Sequence, residues 1–430
     1  MITIGLTITE KIISNVVGKQ VHAGENIEYL PIHTKFINDP AAPQVIQKFN
    51  EEFNSVFEEM NKQQRIEKPE KTFLIVDHLL PIPHGMEKIL DEIKQFAKKY
   101  RIKTFEEYCG IEHALLPEEG LILPGEIIIG TDSHTATYGS FGVFGFGVGV
   151  SDMACALATG HLYDFDVPKS TKIILEGRRG KHVYSKDAIM HVLSKIGEGG
   201  CSEKVAEFEG EVIDELSIDA RLTITNMAVE MSARSSIMNS DSKILNYINS
   251  RTSANFNVFK SDKDASYSET RLFDLSDLEP QVAKPYSPAN SVSVSEVKGI
   301  TINKAFIGSC TNGRAEDLEI GARILKGKKI SDKIKSFDVV PATRKIYEWA
   351  RGRGIIDIYK ESGAQLYDPS CALCFGVTMK LEKEDVCIST INRNYYGRSG
   401  HPDSKMYLAS PATVAASALK GEITDPREVK

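Results

Sequence analysis

The chain has 430 residues, 41% hydrophobic and 26% charged, the composition of a soluble globular protein too long for one compact core and suited to two or three domains. A formal net charge of −7 gives no electrostatic help to nucleic-acid binding, and no apolar run approaches the ~18–20 residues of a membrane span. Seven cysteines, an odd number, do not make a disulfide framework, and the N-terminus lacks the basic-then-apolar pattern of a secretory signal; a reducing cytoplasm is the expected compartment.

Short apolar runs alternate with helical periodicity, an α/β pattern. In chain order, strands are predicted at Thr72–Val76, ending at Asp77-His78, and at Glu126–Ile129, ending at Gly130-Thr131-Asp132-Ser133-His134. Two more are predicted at Lys304–Ile307, ending at Gly308-Ser309-Cys310, and at Val386–Thr390, ending at Asn392-Arg393-Asn394. Each places chemically able side chains just past the carboxyl end of a strand, where ligands bind in open α/β sheets. Helices are predicted at Met86–Tyr100, Ser185–Lys195, Ala315–Leu325 and Thr343–Arg351. The third follows Cys310 at once, with Asn312 as its expected cap, and a helix N-terminus there favours the thiolate.

The Pro-, Ser- and Asn-rich stretch Lys284–Ser295 reads as an exposed linker and Thr252–Ser268 as an irregular surface excursion. The expected lobes are therefore 1–168, 169–283 and, after the linker 284–295, 296–430. The glycine-rich run Phe141–Gly149 lacks the strand–Gly-x-Gly-x-x-Gly–helix setting of a dinucleotide site, and close backbone packing accounts for it better.

Cys310 lies in Gly-Ser-Cys-Thr-Asn-Gly-Arg, and Cys371 and Cys374 in Asp-Pro-Ser-Cys-Ala-Leu-Cys-Phe-Gly. Three thiolates suit an iron–sulfur cluster with one iron left open as a Lewis acid, and equally a zinc ion with one further ligand. Cys109, Cys155, Cys201 and Cys387 read as plain buried thiols. Arg393 and Arg398 offer guanidinium forks suited to carboxylates.

Ordered motifs run through nearly the whole chain. They include Val-Asp-His at 76–78, Gly-Thr-Asp-Ser-His-Thr at 130–135, Thr-Asn-Met-Ala-Val-Glu at 225–230, Ile-Gly-Ser-Cys-Thr-Asn-Gly-Arg at 307–314 and Asn-Arg-Asn-Tyr-Tyr-Gly-Arg at 392–398. In these the chain resembles the 3-isopropylmalate dehydratase large-subunit family of the aconitase superfamily. The resemblance implies three α/β/α lobes around a central iron–sulfur cleft, without the swivel domain. It implies a hydro-lyase of leucine biosynthesis interconverting 2-isopropylmalate and 3-isopropylmalate. A 4Fe–4S cluster would be held by Cys310, Cys371 and Cys374, with Asn226, Asn312, Asn392 and Ser133 hydrogen-bonding around it. Three acid–histidine pairs are implied: Asp77 with His78, Asp132 with His113, and Glu230 with His134. Arg393 and Arg398 would bind a hydroxy-dicarboxylate, and a separate small swivel-domain subunit would close the site and supply the serine base. Other readings are a homoaconitase or dimethylmalate-type dehydratase, an RNA-binding cluster sensor and a structural zinc protein.

Three stretches depart from the family pattern: Ala372 stands where glycine is usual, 39–43 lacks the usual Thr or Ser, and 230–234 lacks a glycine after Glu230. Alanine at 372 would be strained if the backbone there needs a positive φ.

Overall fold

A computed structural model describes residues 5–59 and 65–430; residues 1–4, part of the N-terminal segment read above for a leader, lie outside them. Short continuous apolar runs form strands because helices cover both faces of the sheets. Ile127–Gly130 and Thr72–Ile75 are buried at every position. They belong to a five-stranded parallel sheet ordered 103–104, 72–75, 34–38, 127–130, 144–147. Its central strand, Thr34–Asn38, was not predicted. Lys35 interrupts the apolar pattern there, yet it is fully buried, and burial pulls its amine down to about 8.

A second, four-stranded parallel sheet runs 235–238, 205–209, 170–176, 269–274. The third has seven strands, ordered 291–293, 281–283, 405–409, 386–389, 304–307, 336–339, 365–366. Five of these are parallel, and 281–283 with 291–293 form an antiparallel hairpin at one edge. The stretch read as a linker, 284–295, is thus the turn and second strand of that hairpin. Its Ser291 pairs with Ala283, so serine-rich sequence here marks an edge strand rather than a free connection. A separate antiparallel ribbon joins Asn26–Pro31 to His161–Asp166.

The predicted helices form at Glu87–Tyr100, Ser185–Ile196, Ala315–Leu325 and Arg344–Gly352. The first buries Ile93, Phe96, Ala97 and Tyr100, one face at helical spacing. Residues 253–263 carry no regular element, as expected. The glycine-rich run forms the strand Phe144–Gly147. A side chain at Gly145 would meet the Thr135 carbonyl at 2.8 Å, and one at Gly147 the Asp132 carbonyl at 2.9 Å. Bare backbone lets this strand press on the segment carrying Asp132 and His134. Of the four cysteines read as plain buried thiols, Cys201 and Cys387 are buried, but Cys109 and Cys155 are half-buried. Among the described residues no helix is long and apolar enough to cross a membrane.

Candidate active site

The carboxyl ends of the first and third sheets face one cavity of about 400 Å³. Strand 34–38 delivers Asn38 and Asp39, strand 72–75 delivers Asp77 and His78, and strand 127–130 delivers Thr131, Asp132 and His134. From the third sheet, 304–307 leads to Cys310, 365–366 to Cys371 and Cys374, and 386–389 to Asn392 and Arg393. The Cys371 backbone N–H donates to the Asp77 carbonyl at 2.8 Å, joining the two groups of loops directly. His78, His113, Asp132, His134, the three cysteines, Arg393 and Arg398 all line the cavity.

Cys310, Cys371 and Cys374 are 5%, 7% and 6% exposed and none is in a disulfide. The side-chain amides of Asn226 and Asn392 donate to the Cys310 sulfur at 3.3 and 3.5 Å, and the Cys374 thiol donates to Asn392 Oδ1 at 3.2 Å. Asn312 does not join them: its amide donates to Asp317 at 2.8 Å and to Thr223. Asn312 is not the cap of the following helix either; the Arg314 backbone N–H reaches Asp317 there. The helix containing Cys310 is only Ser309–Asn312, too short for a useful dipole. Burial, with Cys374 and Asp132 nearby, pushes the Cys310 thiol up to about 12; a helix terminus does not lower it. Burial likewise pushes the Cys371 thiol well up, so a bound cation would favour the thiolate form of Cys310 and Cys371.

Ligand atoms of one tetrahedral zinc ion with ~2.3 Å bonds would sit about 3.8 Å apart. The triads whose atoms lie within 4.8 Å of one another are Asp77–His78–Cys371 and His78–Glu112–Asp132. The three sulfurs do not form such a triad among the described residues. Three buried thiols spread around one cavity wall, with amide donors on sulfur, fit a group larger than a single ion.

The acid–histidine pairs form a network. His78 Nδ1 is 2.6 Å from Asp77, and its Nε2 lies 3.4 Å from Asp132. Burial opposes charge on this imidazole, but Asp77 above all outweighs it and holds the ring well above its ordinary value. Asp132 was expected to pair with His113 alone. It is shared by His78, His113 and His134, at 3.4, 3.6 and 3.3 Å. Burial would raise its carboxyl, yet these contacts keep it well below the usual range. His113 is the weakest partner: burial pulls its ring down to about 3, and its Nε2 has no hydrogen bond. It stacks on Tyr138, centroids 5.5 Å apart.

His134 Nε2 meets Glu230 at 2.9 Å. Glu230 also accepts two bonds from Arg393 Nε, at 2.9 and 3.0 Å, and these partners outweigh burial to lower its carboxyl. Arg393 is therefore anchored on Glu230 as well as facing the cavity. Arg398 Nε donates to the Cys374 carbonyl at 3.1 Å, tying that guanidinium to the cysteine loop.

Sequence reasoning missed Asp39, Glu112 and Lys186. Asp39 accepts the backbone N–H groups of His78 and Leu79 at 3.1 and 2.7 Å, fixing the turn that presents His78. Glu112 is fully buried, neither carboxyl oxygen has a hydrogen bond, and burial first of all pushes it well above its ordinary value. Lys186 is fully buried and donates to the Thr390 and Ile391 carbonyls at 3.0 and 2.8 Å, while burial pulls its amine down to about 7. The strand-end rule would have reached Asp39 had its strand been found.

A family profile described as the aconitase family (aconitate hydratase) matches residues 10–421. The chain belongs to the aconitase family. It is 43% identical over 432 residues to the 3-isopropylmalate dehydratase large subunit of Caldanaerobacter subterraneus subsp. tengcongensis, covering 99% of this chain and 100% of that one. The large subunit from Aquifex aeolicus is 42% identical, covering 99% and 98%. Large subunit 1 from Pyrococcus furiosus is 40% identical, covering 99% of both. Within the aconitase family the chain therefore groups with the 3-isopropylmalate dehydratase large subunits. A crystal structure of Thermococcus kodakaraensis aconitase X in its holo form superposes with a TM-score of 0.45 at 14% identity, over 90% of this chain and 89% of that one.

Proposed function

We propose that this chain is the large subunit of a hydro-lyase interconverting 2-isopropylmalate and 3-isopropylmalate by loss and readdition of water, in the leucine pathway of the cytoplasm. The observation that carries the reading is one cavity lined by three buried cysteines, a carboxylate-bound histidine network and two arginines. Cys310, Cys371 and Cys374 would hold a 4Fe–4S cluster, which when bound supplies a Lewis acid for the substrate hydroxyl.

His78 is the proton donor. With Asp77 against Nδ1 and Asp132 near Nε2, its imidazolium is favoured and aimed into the cavity, and it delivers a proton to the departing hydroxyl. Asp39 and Asp77 keep the ring from turning. Arg393 and Arg398 bind the substrate carboxylates by charge-assisted hydrogen bonds, each pre-set by its bond to Glu230 or the Cys374 carbonyl. His134 and Glu230 hold that arginine and the far side of Asp132 in place. The α-proton goes to a serine of a small swivel-domain subunit, which also shields the cavity from water.

The test is anaerobic purification of the chain with a co-expressed small subunit, followed by iron, sulfide and visible-absorbance measurements and turnover assays. Iron and sulfide in equal amounts with turnover of isopropylmalate are expected. Zinc without sulfide would overturn the cluster assignment, and turnover of homocitrate derivatives but not isopropylmalate would overturn the substrate.

A further inference from the structure

A second cavity, of about 330 Å³, shares a wall with the first. Ala114 and Ile346 line it, and both pack with Cys310 and Cys371 in one apolar cluster. The volume is within the ~300–1,000 Å³ range of small-molecule sites. Nothing in the proposed reaction uses it.

Its most unusual lining residue is Arg314, only 1% exposed. Nη1 donates to the Thr311 carbonyl at 2.7 Å, but Nε and Nη2 have no hydrogen-bond partner. Among the described residues, no carboxylate lies within ion-pair distance of this guanidinium. The two acids closest in sequence are occupied elsewhere: Glu316 accepts from the Ser217 hydroxyl, and Asp317 from the Arg314 backbone N–H and the Asn312 amide. A buried guanidinium with open donors is costly unless an anion meets it. Glu118 lines the same cavity: one carboxyl oxygen accepts from Thr343 at 3.2 Å, and the other is buried and unpartnered. Burial, first of all, holds its carboxyl above the ordinary value. Leu222, Ile346 and Trp349 supply an apolar wall.

The cavity thus presents an anion receiver, a cation receiver and an apolar surface. The other cations at its edge are engaged: Lys345 pairs with Glu119 at 2.6 Å, and Arg251 lies over the Tyr247 ring at 3.5 Å. We propose that this cavity binds a small α-amino acid with an apolar side chain, its carboxylate on Arg314, its ammonium on Glu118 and its side chain against Leu222, Ile346 and Trp349. The occupant would touch Ala114 and Ile346, the residues packed behind Cys310 and Cys371, and so is placed to influence the cysteine loops.

Trp349 is the single tryptophan of the chain, so its fluorescence reports the cavity directly. The experiment titrates the full chain with L-leucine, with 4-methylpentanoate, which lacks the ammonium, and with 3-methylbutylamine, which lacks the carboxylate. Fluorescence and isothermal calorimetry are read together. Saturable L-leucine binding is expected, with both truncated probes at least tenfold weaker. Arg314→Met should abolish binding of both carboxylates. Glu118→Gln should leave L-leucine no tighter than 4-methylpentanoate, and it keeps the test decisive if circular dichroism shows Arg314→Met misfolded. Three outcomes overturn the proposal: no saturable signal by either method, equal binding of the three probes, or unchanged discrimination in Glu118→Gln.

Discussion

Ala372, between Cys371 and Cys374, sits at φ 41°, and Ser232, in the stretch 230–234, sits at φ 58°. Both residues fall in the left-handed region. A left-handed conformation costs a Cβ-bearing residue ~1–2 kcal/mol, and glycine gives back ~0.5–1 kcal/mol through its freer unfolded chain. Ala372→Gly should raise stability by the difference, ~0.5–1 kcal/mol, in urea unfolding of the cluster-free chain. Loss of stability would show that the loop is shaped around the methyl group. Glu230 offers a functional test at the same scale. Glu230→Gln keeps the shape but removes the charge that holds His134 and Arg393. Turnover by the reconstituted complex should fall ~10²-fold or more, with iron and sulfide content unchanged.

Among the elements, the glycine strand 144–147 and the segment 132–141 form one unit. Gly147→Ala would press on the Asp132 carbonyl, which as backbone cannot swing away. It should cost ~1–3 kcal/mol and lower turnover more than a comparable change far from Asp132; thermal melts beside rate measurements separate the two effects. His33, next to the central strand, is a pH gauge for this sheet. Its Nδ1 accepts the Ile127 N–H at 3.0 Å, so the neutral ring is the one bound. Burial, with Lys68, Lys71 and Lys35, pulls the ring from 6.5 down to about 4. Between these values the unfolded chain binds the extra proton. Stability is then complete above about 6.5 and falls with pH toward about 4, by up to ~1.4 kcal/mol per unit. Denaturation midpoints across that window should lose part of this slope in His33→Gln.

At the scale of the whole molecule, apolar runs announced four strands of the central sheets because burial on both faces leaves them without polar interruption. Thr34–Asn38 stayed hidden because Lys35 breaks that pattern, and Asp39 was lost with it. Cys310, His78, His134 and the two arginines were legible because motif and predicted strand end coincide; Cys371 and Cys374 stood out by motif alone, and His113, at the start of the helix Glu112–Glu118, only through the family resemblance. Their connectivity was not: that Asp132 serves three imidazoles, and that Asn312 turns away to Asp317, depends on packing between segments distant in sequence. Glu112 gave no signal beyond its place beside His113, since burial first, and then Asp77 and Asp132 brought near it by folding, raise its carboxyl.

The bond from the Cys371 N–H to the Asp77 carbonyl makes the spacing between the lobes observable at a single amide. His78 hangs from one sheet and the cysteine loop from another, and this bond is a rivet between them. Hydrogen exchange at Cys371 should slow by at least an order of magnitude when the metal group is loaded, in step with exchange at His78 and Leu79. If the Cys371 amide is unaffected by loading while those two slow, the loops move independently. Oxidative damage to the cysteine loop would then spare the histidine's aim; with the rivet in place, it disables both at once.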